Sequence, residues 1–490
     1  MHVQFEPQSA QVFVSSSDTA RPPDGGWGWV VVFASFMVNL ISVGIVSCIG
    51  FYYPSIFSHF HERSGVVMWI LHLFYAMPLL SGRIAVFLID KYGCRIMTII
   101  GSILAALGLF VCINVNGTVT LLLAFVIMTG FGLSLCNVAT VVIVAYYFEK
   151  KRSLATGISA CGSLFSGYLF SPLIHFLLDQ CEVHETLLIL ALLLLNLAIC
   201  GLFFRDPAWT AAMNEERTNE HKRRIERKKF VLSVSKSSAA ESAKVTDNTL
   251  GNYETTIVKE KSQWLAGLWE VLVELLDFSH FRKPAFLAFA VSNFLLYTWF
   301  NTFYSHNDIL HKGVPMAKVS MLQFVVMMMN LFSAILIGWV GGQECVNPSL
   351  LNAVCMVLGG TVWAIVPLLT TSLGLTVALA AFEAFAAVNY TLTSTILVKQ
   401  ITLKKFTNAY GLLLLIQGLA RLIRPTLAVT IAWLDINSSD DLVFYLGGVS
   451  IGASGLILII VQCYNVVRRC YNHQTRYDVT INTSTFKTTN

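Results

Sequence analysis

Along the chain, apolar blocks of about 20 residues alternate with short polar connections, and a helix of that length rises about 30 Å, the thickness of a bilayer's hydrocarbon core. The pattern predicts twelve spans, at about 29–53, 66–89, 96–115, 119–146, 154–178, 186–204, 285–305, 317–341, 350–370, 373–396, 408–433 and 442–465. Between spans six and seven lies a long polar stretch, 205–283, with "EERTNEHKRRIERKKF" followed by a Ser, Lys, Thr and Asn mixture that cannot bury enough surface to fold alone. It divides the chain into a tail (1–28), a six-helix bundle (29–204), a mostly disordered linker (205–283), a second six-helix bundle (284–465) and a second tail (466–490). The linker ends in "WLAGLWEVLVELLDF", whose tryptophans and leucines suit an interfacial or packed amphipathic helix near 263–278.

Charge adds an orientation. The chain has 490 residues, 55% hydrophobic and 12% charged, which excludes a soluble globular domain and leaves an all-α membrane protein. One set of connections carries Lys91, Arg95, Lys150, Lys151, Arg152, Lys399, Lys404 and Lys405, together with the basic linker and the tail Arg468 and Arg469. The opposite set is poor in Lys and Arg and holds Asp179, Glu182, Glu185, Asp435, Asp440 and Asp441. Positive residues mark the cytoplasmic side, so both termini are expected there. The polar opening, "MHVQFEPQSAQVFVSSSDTARPPDGG", does not read as a cleavable signal peptide. Of the eleven cysteines most fall within spans, as small apolar side chains do, and the spacings give neither a disulfide framework nor a metal site. "KRRIERKK" reads as a solvated face near anionic lipid, and nothing argues for nucleic acid. No HExxH or pair of metal-ligand histidines occurs in the spans, so an enzyme lacks support, and no cofactor is expected.

Three local patterns narrow the class. "DKYGCR" (Asp90 to Arg95) is a tight turn between spans two and three, bent at Gly93. "YYFEKKRSLATGI" (Tyr146 to Ile158) joins spans four and five with a basic cluster that includes Arg152. "PDGGWGWVVV" opens span one with Asp24, Gly25, Gly26, Trp27 and Trp29. With "GFGLSLCNVATVVIVAYYFEKKRSLATGISACGS" (Gly130 to Ser163) and "LLDFSHFRKPAFL" (Leu275 to Leu287), these motifs resemble the monocarboxylate transporter family of the major facilitator superfamily, over nearly the whole of both bundles. The resemblance implies a plasma-membrane secondary transporter that moves small organic anions such as lactate or pyruvate by alternating access, often as a proton symport. It also implies a single-span immunoglobulin-like ancillary protein that assists delivery to the surface.

The chain departs from that family where the family's chemistry lies. Members of the lactate-carrying kind use a lysine in span one and an Asp and an Arg one turn apart in span eight; the matching positions here are Ser47, Asn330 and Ala334. In span eleven the family's "GPP" turn reads "RPT", with Arg424 at the glycine position and Arg421 one turn earlier. An arginine at the bilayer centre costs about 2.5–3.5 kcal/mol, so both are expected to face protein or water, on one helix face with Gln417. Pro425 is expected to loosen the helix at Arg424.

Two accounts of these arginines stay open. Arg424 and Arg421 grip a substrate carboxylate through paired hydrogen bonds, or one of them locks to Glu383, the one acidic residue deep in an expected span. Asn330, Ser47 and Asn39 are expected to line the path, and Glu383 and His72 are the proton-coupling candidates. The loss of the charge triad puts proton coupling in doubt. It leaves two rivals to an anion carrier: a facilitator of a zwitterionic or aromatic substrate, and a non-transporting sensor or scaffold on a transporter fold.

Overall fold

The computed structural model describes residues 22, 24–57, 64–113, 122–207, 209–210, 223, 279–299, 316–369, 371–433 and 439–487. The expected helix near 263–278 lies outside them, as does the side chain of Arg424. Among the described residues every regular element is a helix. Span one is Trp27–Phe57, span two is Ser64–Leu80 continued by Gly82–Tyr92, and span three is Cys94–Cys112. Span four starts as a π-helical stretch, Leu122–Thr129, and continues as Gly130–Tyr147; spans five and six are Arg152–Gln180 and Val183–Leu202. Span seven is Pro284–Trp299, span eight Met316–Gly341, span nine Pro348–Ile365 with a 3-10 turn Val366–Leu368, and span ten Ser372–Ile401. Span eleven is Leu403–Trp433 and span twelve Ser439–Lys487.

Eleven of these helices are long and apolar enough to cross a membrane, and Pro284–Trp299 is a shorter apolar helix at the place of span seven. Two details differ from expectation. Span eleven runs through Pro425 as continuous helix, and span twelve continues to Lys487, well past 465, with no proline or glycine in its polar tail to break it.

Helix-to-helix packing builds two bundles. Span one packs on spans four, five and six, and span three on four and six; in the second bundle nine packs on ten and twelve, seven on eleven and twelve, and eight on ten. The second bundle is centred on Trp363, whose ring lies 4.6 Å from Phe382 and 5.5 Å from Phe444. The bundles meet where span two packs on eleven, and span five on eight and ten. By contacts the chain separates into Met1–Pro23 with Asp206–Asp277, and Asp24–Arg205 with Phe278–Asn490, and the second unit holds all the spans.

The turns between spans two and three and between ten and eleven lie at the end rich in Lys and Arg, here called the basic end. Both use one backbone conformation: Gly93 has φ 87°, ψ 159° and Thr402 φ 90°, ψ 151°. That region belongs almost wholly to glycine, so Thr402 is strained.

Candidate functional site

Polar side chains inside the spans form three groups, and the first of them joins the two bundles. Arg421, on span eleven, donates through Nη1 to the backbone carbonyl of Tyr75 on span two at 3.2 Å. Its guanidinium carbon lies 5.5 Å from the centre of the Tyr297 ring on span seven, a cation–π distance. Its Nε is buried and has no hydrogen-bond partner. One turn earlier, Gln417 donates to Asn293 Oδ1 at 2.9 Å, so it shares Arg421's inward side but is occupied by span seven. His72 is half-buried, one turn before Tyr75 on span two.

The second polar group lies between spans eight and ten. Tyr390 donates its hydroxyl to Asn330 Oδ1 at 2.8 Å, and Asn330 Nδ2 donates to Glu383 Oε2 at 3.0 Å. With its oxygen occupied by Tyr390, the Asn330 amide presents its N–H to the carboxylate. Both Asn330 and Glu383 are buried. Ala334, where the resembled family has arginine, is fully buried against Cys161 and Ala387. A Cβ on Gly157 would come within 2.7 Å of the Ala334 carbonyl, so spans five and eight approach too closely there for a long side chain.

In the first bundle, Asn39 Nδ2 donates to both the carbonyl and the hydroxyl of Ser159, each at 3.0 Å, which ties span one to span five. Ser42 donates to Asn137 Oδ1 at 2.7 Å. Ser47 is half-buried toward the other end of span one.

The glycine-tryptophan motif forms a clasp. Asp24 Oδ1 accepts from the backbone N–H groups of Glu149, Lys150 and Lys151 at 2.8, 3.0 and 3.4 Å, in the turn that leads into the span-five helix, where a carboxylate also suits the helix dipole. Asp24 and Gly26 take left-handed backbone angles, φ 50° and 58°, and Gly25 lies between them. Trp27 Nε1 donates to Phe203 O at 3.2 Å, just past the end of span six, and the Trp29 ring meets Phe148 edge-on at 5.1 Å. Arg152 is buried beside Asp24 and Glu149. Asp90 Oδ2 accepts from Thr407 at 2.7 Å across the bundle interface, while Arg95 is exposed.

Comparison with known proteins decides the family: the model of the Major Facilitator Superfamily matches residues 32–425. The chain belongs to the major facilitator superfamily. Among its curated relatives are monocarboxylate transporter 3 of Gallus gallus, 27% identical over 455 residues (91% of this chain, 80% of that one), and monocarboxylate transporter 14 of Homo sapiens, 24% identical over 486 residues (91% and 92%). The fold is similar to that of the human organic anion transporter MFSD10 at TM-score 0.59 and 13% identity, covering 89% of this chain and all of that one. It is also similar to the proton:xylose symporter XylE at TM-score 0.58 and 14% identity, covering 88% and 95%. The chain is thus a multi-pass membrane transporter, and its relatives are carriers, not enzymes.

In this transporter, sequence reasoning missed Arg83, Tyr75, Tyr297 and Tyr390. Arg83 carries the signal that flags Arg421, an arginine inside an apolar run. The tyrosines carry none, because an aromatic residue in a span reads as packing until a polar neighbour is placed against it.

Proposed function

We propose that this transporter moves small organic anions of the monocarboxylate kind across the plasma membrane by alternating access, with Arg421 as the carboxylate contact and Arg424 beside it on the same helix. The observation that carries the reading is the buried Nε of Arg421, which has no partner. With Nη1 engaged by Tyr75, the remaining edge of the guanidinium is a fork whose spacing fits two carboxylate oxygens. A buried cation is stable only when paired, and an arriving carboxylate supplies the pair. The names of the relatives, monocarboxylate and organic anion transporters, agree with that chemistry. The basic end faces the cytoplasm, as the excess of Lys and Arg favours, which puts both termini inside. An immunoglobulin-like ancillary protein enters only by family likeness.

Glu383 supports a second reading. A carboxylate held by the neutral Asn330 amide, within the same bundle as Arg421, suits the cationic end of a zwitterion, or a proton. One experiment separates these. Uptake of labelled lactate, pyruvate, a ketone body, an aromatic amino acid and creatine is measured at outside pH 6 and 7.5, for the parent chain and Arg421→Gln, Arg424→Gly, Glu383→Gln and His72→Gln. Monocarboxylate uptake that falls in Arg421→Gln supports the proposal. Uptake of zwitterions alone, lost in Glu383→Gln, transfers the assignment to the second reading, and acid stimulation lost in that variant or in His72→Gln adds proton coupling. Flat uptake for the whole panel, with surface expression verified, sinks the anion reading in favour of a scaffold role.

A further inference from the structure

Spans two and eleven run antiparallel and touch in register over a long stretch. Asp90 meets Thr407, and Arg83 meets Asn408. Cβ atoms on Gly411, Gly82 and Gly418 would meet Arg83, Leu414 and Leu80 within 3.2, 2.6 and 2.8 Å, and Tyr75 meets Arg421. The companion interface is closed by hydroxyl pairs, Ser153 with Thr395 at 2.8 Å and Thr156 with Ser394 at 3.1 Å. There, a Cβ on Gly338 would meet the Ser153 carbonyl at 2.9 Å. The glycines let the two bundles approach closely and seal the basic end.

Within that seal Arg83 stands apart. It is buried, 5% exposed, and its Nη1 donates to both the backbone carbonyl and the side-chain Oδ1 of Asn408, at 2.7 and 2.8 Å. Hydrogen bonds from a guanidinium are the stronger class, whereas hydroxyl pairs are ordinary neutral ones. Asn408 offers dipoles and no formal charge, so this contact is stronger than a hydroxyl pair and weaker than an ion pair. A contact of that kind, joining residues 325 positions apart on opposite bundles, suits a gate that must break in each cycle.

We propose that Arg83 is the positioning residue that sets which end of this transporter is open, with its contact to Asn408 holding the basic end shut. It goes beyond the anion reading and stands without it, because it concerns the gate and not the substrate. The tie adds to the closed state alone, so its loss shifts the population toward the state open at the basic end by about tenfold.

The test places a reporter thiol on the seal, Leu414→Cys, which is 6% exposed and faces Gly82. A membrane-impermeant maleimide is applied without substrate to right-side-out and inside-out vesicles, and the background of the native cysteines is measured in the chain lacking the reporter. Adding Arg83→Met is expected to raise labelling of the reporter about tenfold from the side that the basic end faces and to leave the other side unchanged. Arg83→Lys, which keeps one charged donor, is expected to restore part of the protection. Asn408→Ala, which loses Oδ1 but keeps the carbonyl, is expected to give a smaller rise on the same side, and it serves alone if Arg83→Met does not reach the membrane. Unchanged labelling in the variants that fold overturns the proposal. Equal rises from both sides also overturn it, since they describe a loosened bundle and not a gate.

Discussion

The exchange of Arg421 for Gln separates a substrate contact from a structural lock, because the two roles predict opposite changes. Placing a guanidinium near the bilayer centre costs about 2.5–3.5 kcal/mol. In the folded chain this is offset by the charged hydrogen bond to Tyr75, about 1.5–3 kcal/mol, and by the approach to the Tyr297 ring, about 0.5–2 kcal/mol. These terms nearly cancel, so Arg421→Gln is expected to leave the melting temperature of the detergent-solubilised protein within a few degrees of the parent. Transport responds otherwise. Truncating one partner of a desolvated, hydrogen-bonded charge pair costs about 2–5 kcal/mol, which raises the half-saturation concentration for a carboxylate by about 30-fold or more. The assay is the concentration dependence of uptake into proteoliposomes beside a thermal melt of the same preparation. An unchanged half-saturation together with a melt lowered by ten degrees would refute the reasoning and make Arg421 a lock.

Further predictions follow from local geometry. Thr402→Gly removes the strain of φ 90°, and Gly93→Ala introduces the same strain at φ 87°; the first raises and the second lowers the unfolding free energy by about 1–3 kcal/mol in denaturant melts. Asp24→Ala strands the three amides in the turn before span five and costs about 1–2 kcal/mol, read as a lower melting temperature and a smaller surface fraction. Gly162→Val sets a Cβ 2.1 Å from the Phe36 carbonyl, which forces spans one and five apart and removes most of the folded protein from the membrane fraction in a fluorescence size-exclusion profile. Glu383→Gln keeps an oxygen for the Asn330 amide and is expected to melt like the parent, whereas Asn330→Leu leaves the buried carboxylate without that donor and lowers the melt clearly.

Periodicity and length fixed the spans, because the cost of an unsatisfied backbone in hydrocarbon leaves a 20-residue apolar block only one structure. The glycine-tryptophan motif was legible as a motif, while its work, holding the turn before span five through Asp24, needed the fold: the carboxylate lies 125 residues from the first amide it satisfies. The expected opening of span eleven at Pro425 did not occur, since a helix packed among neighbours tolerates a missing donor that sequence rules treat as a break. Missing charges at Asn330 and Ala334 were readable from the chain, but why no long side chain fits at 334 was decided by the approach of Gly157.

By itself, then, the sequence determined the membrane class, the spans, the turns and the presence of arginines that must be accommodated, for these depend on residues near one another along the chain. Only the tertiary structure decided that Arg421 would reach Tyr75, 346 positions away, that Arg83 would find Asn408, and that Glu383 would be held by Asn330. Such partners are chosen by which helices small residues allow to approach, and that choice is a property of the packed bundle, with no trace in the local pattern of either helix.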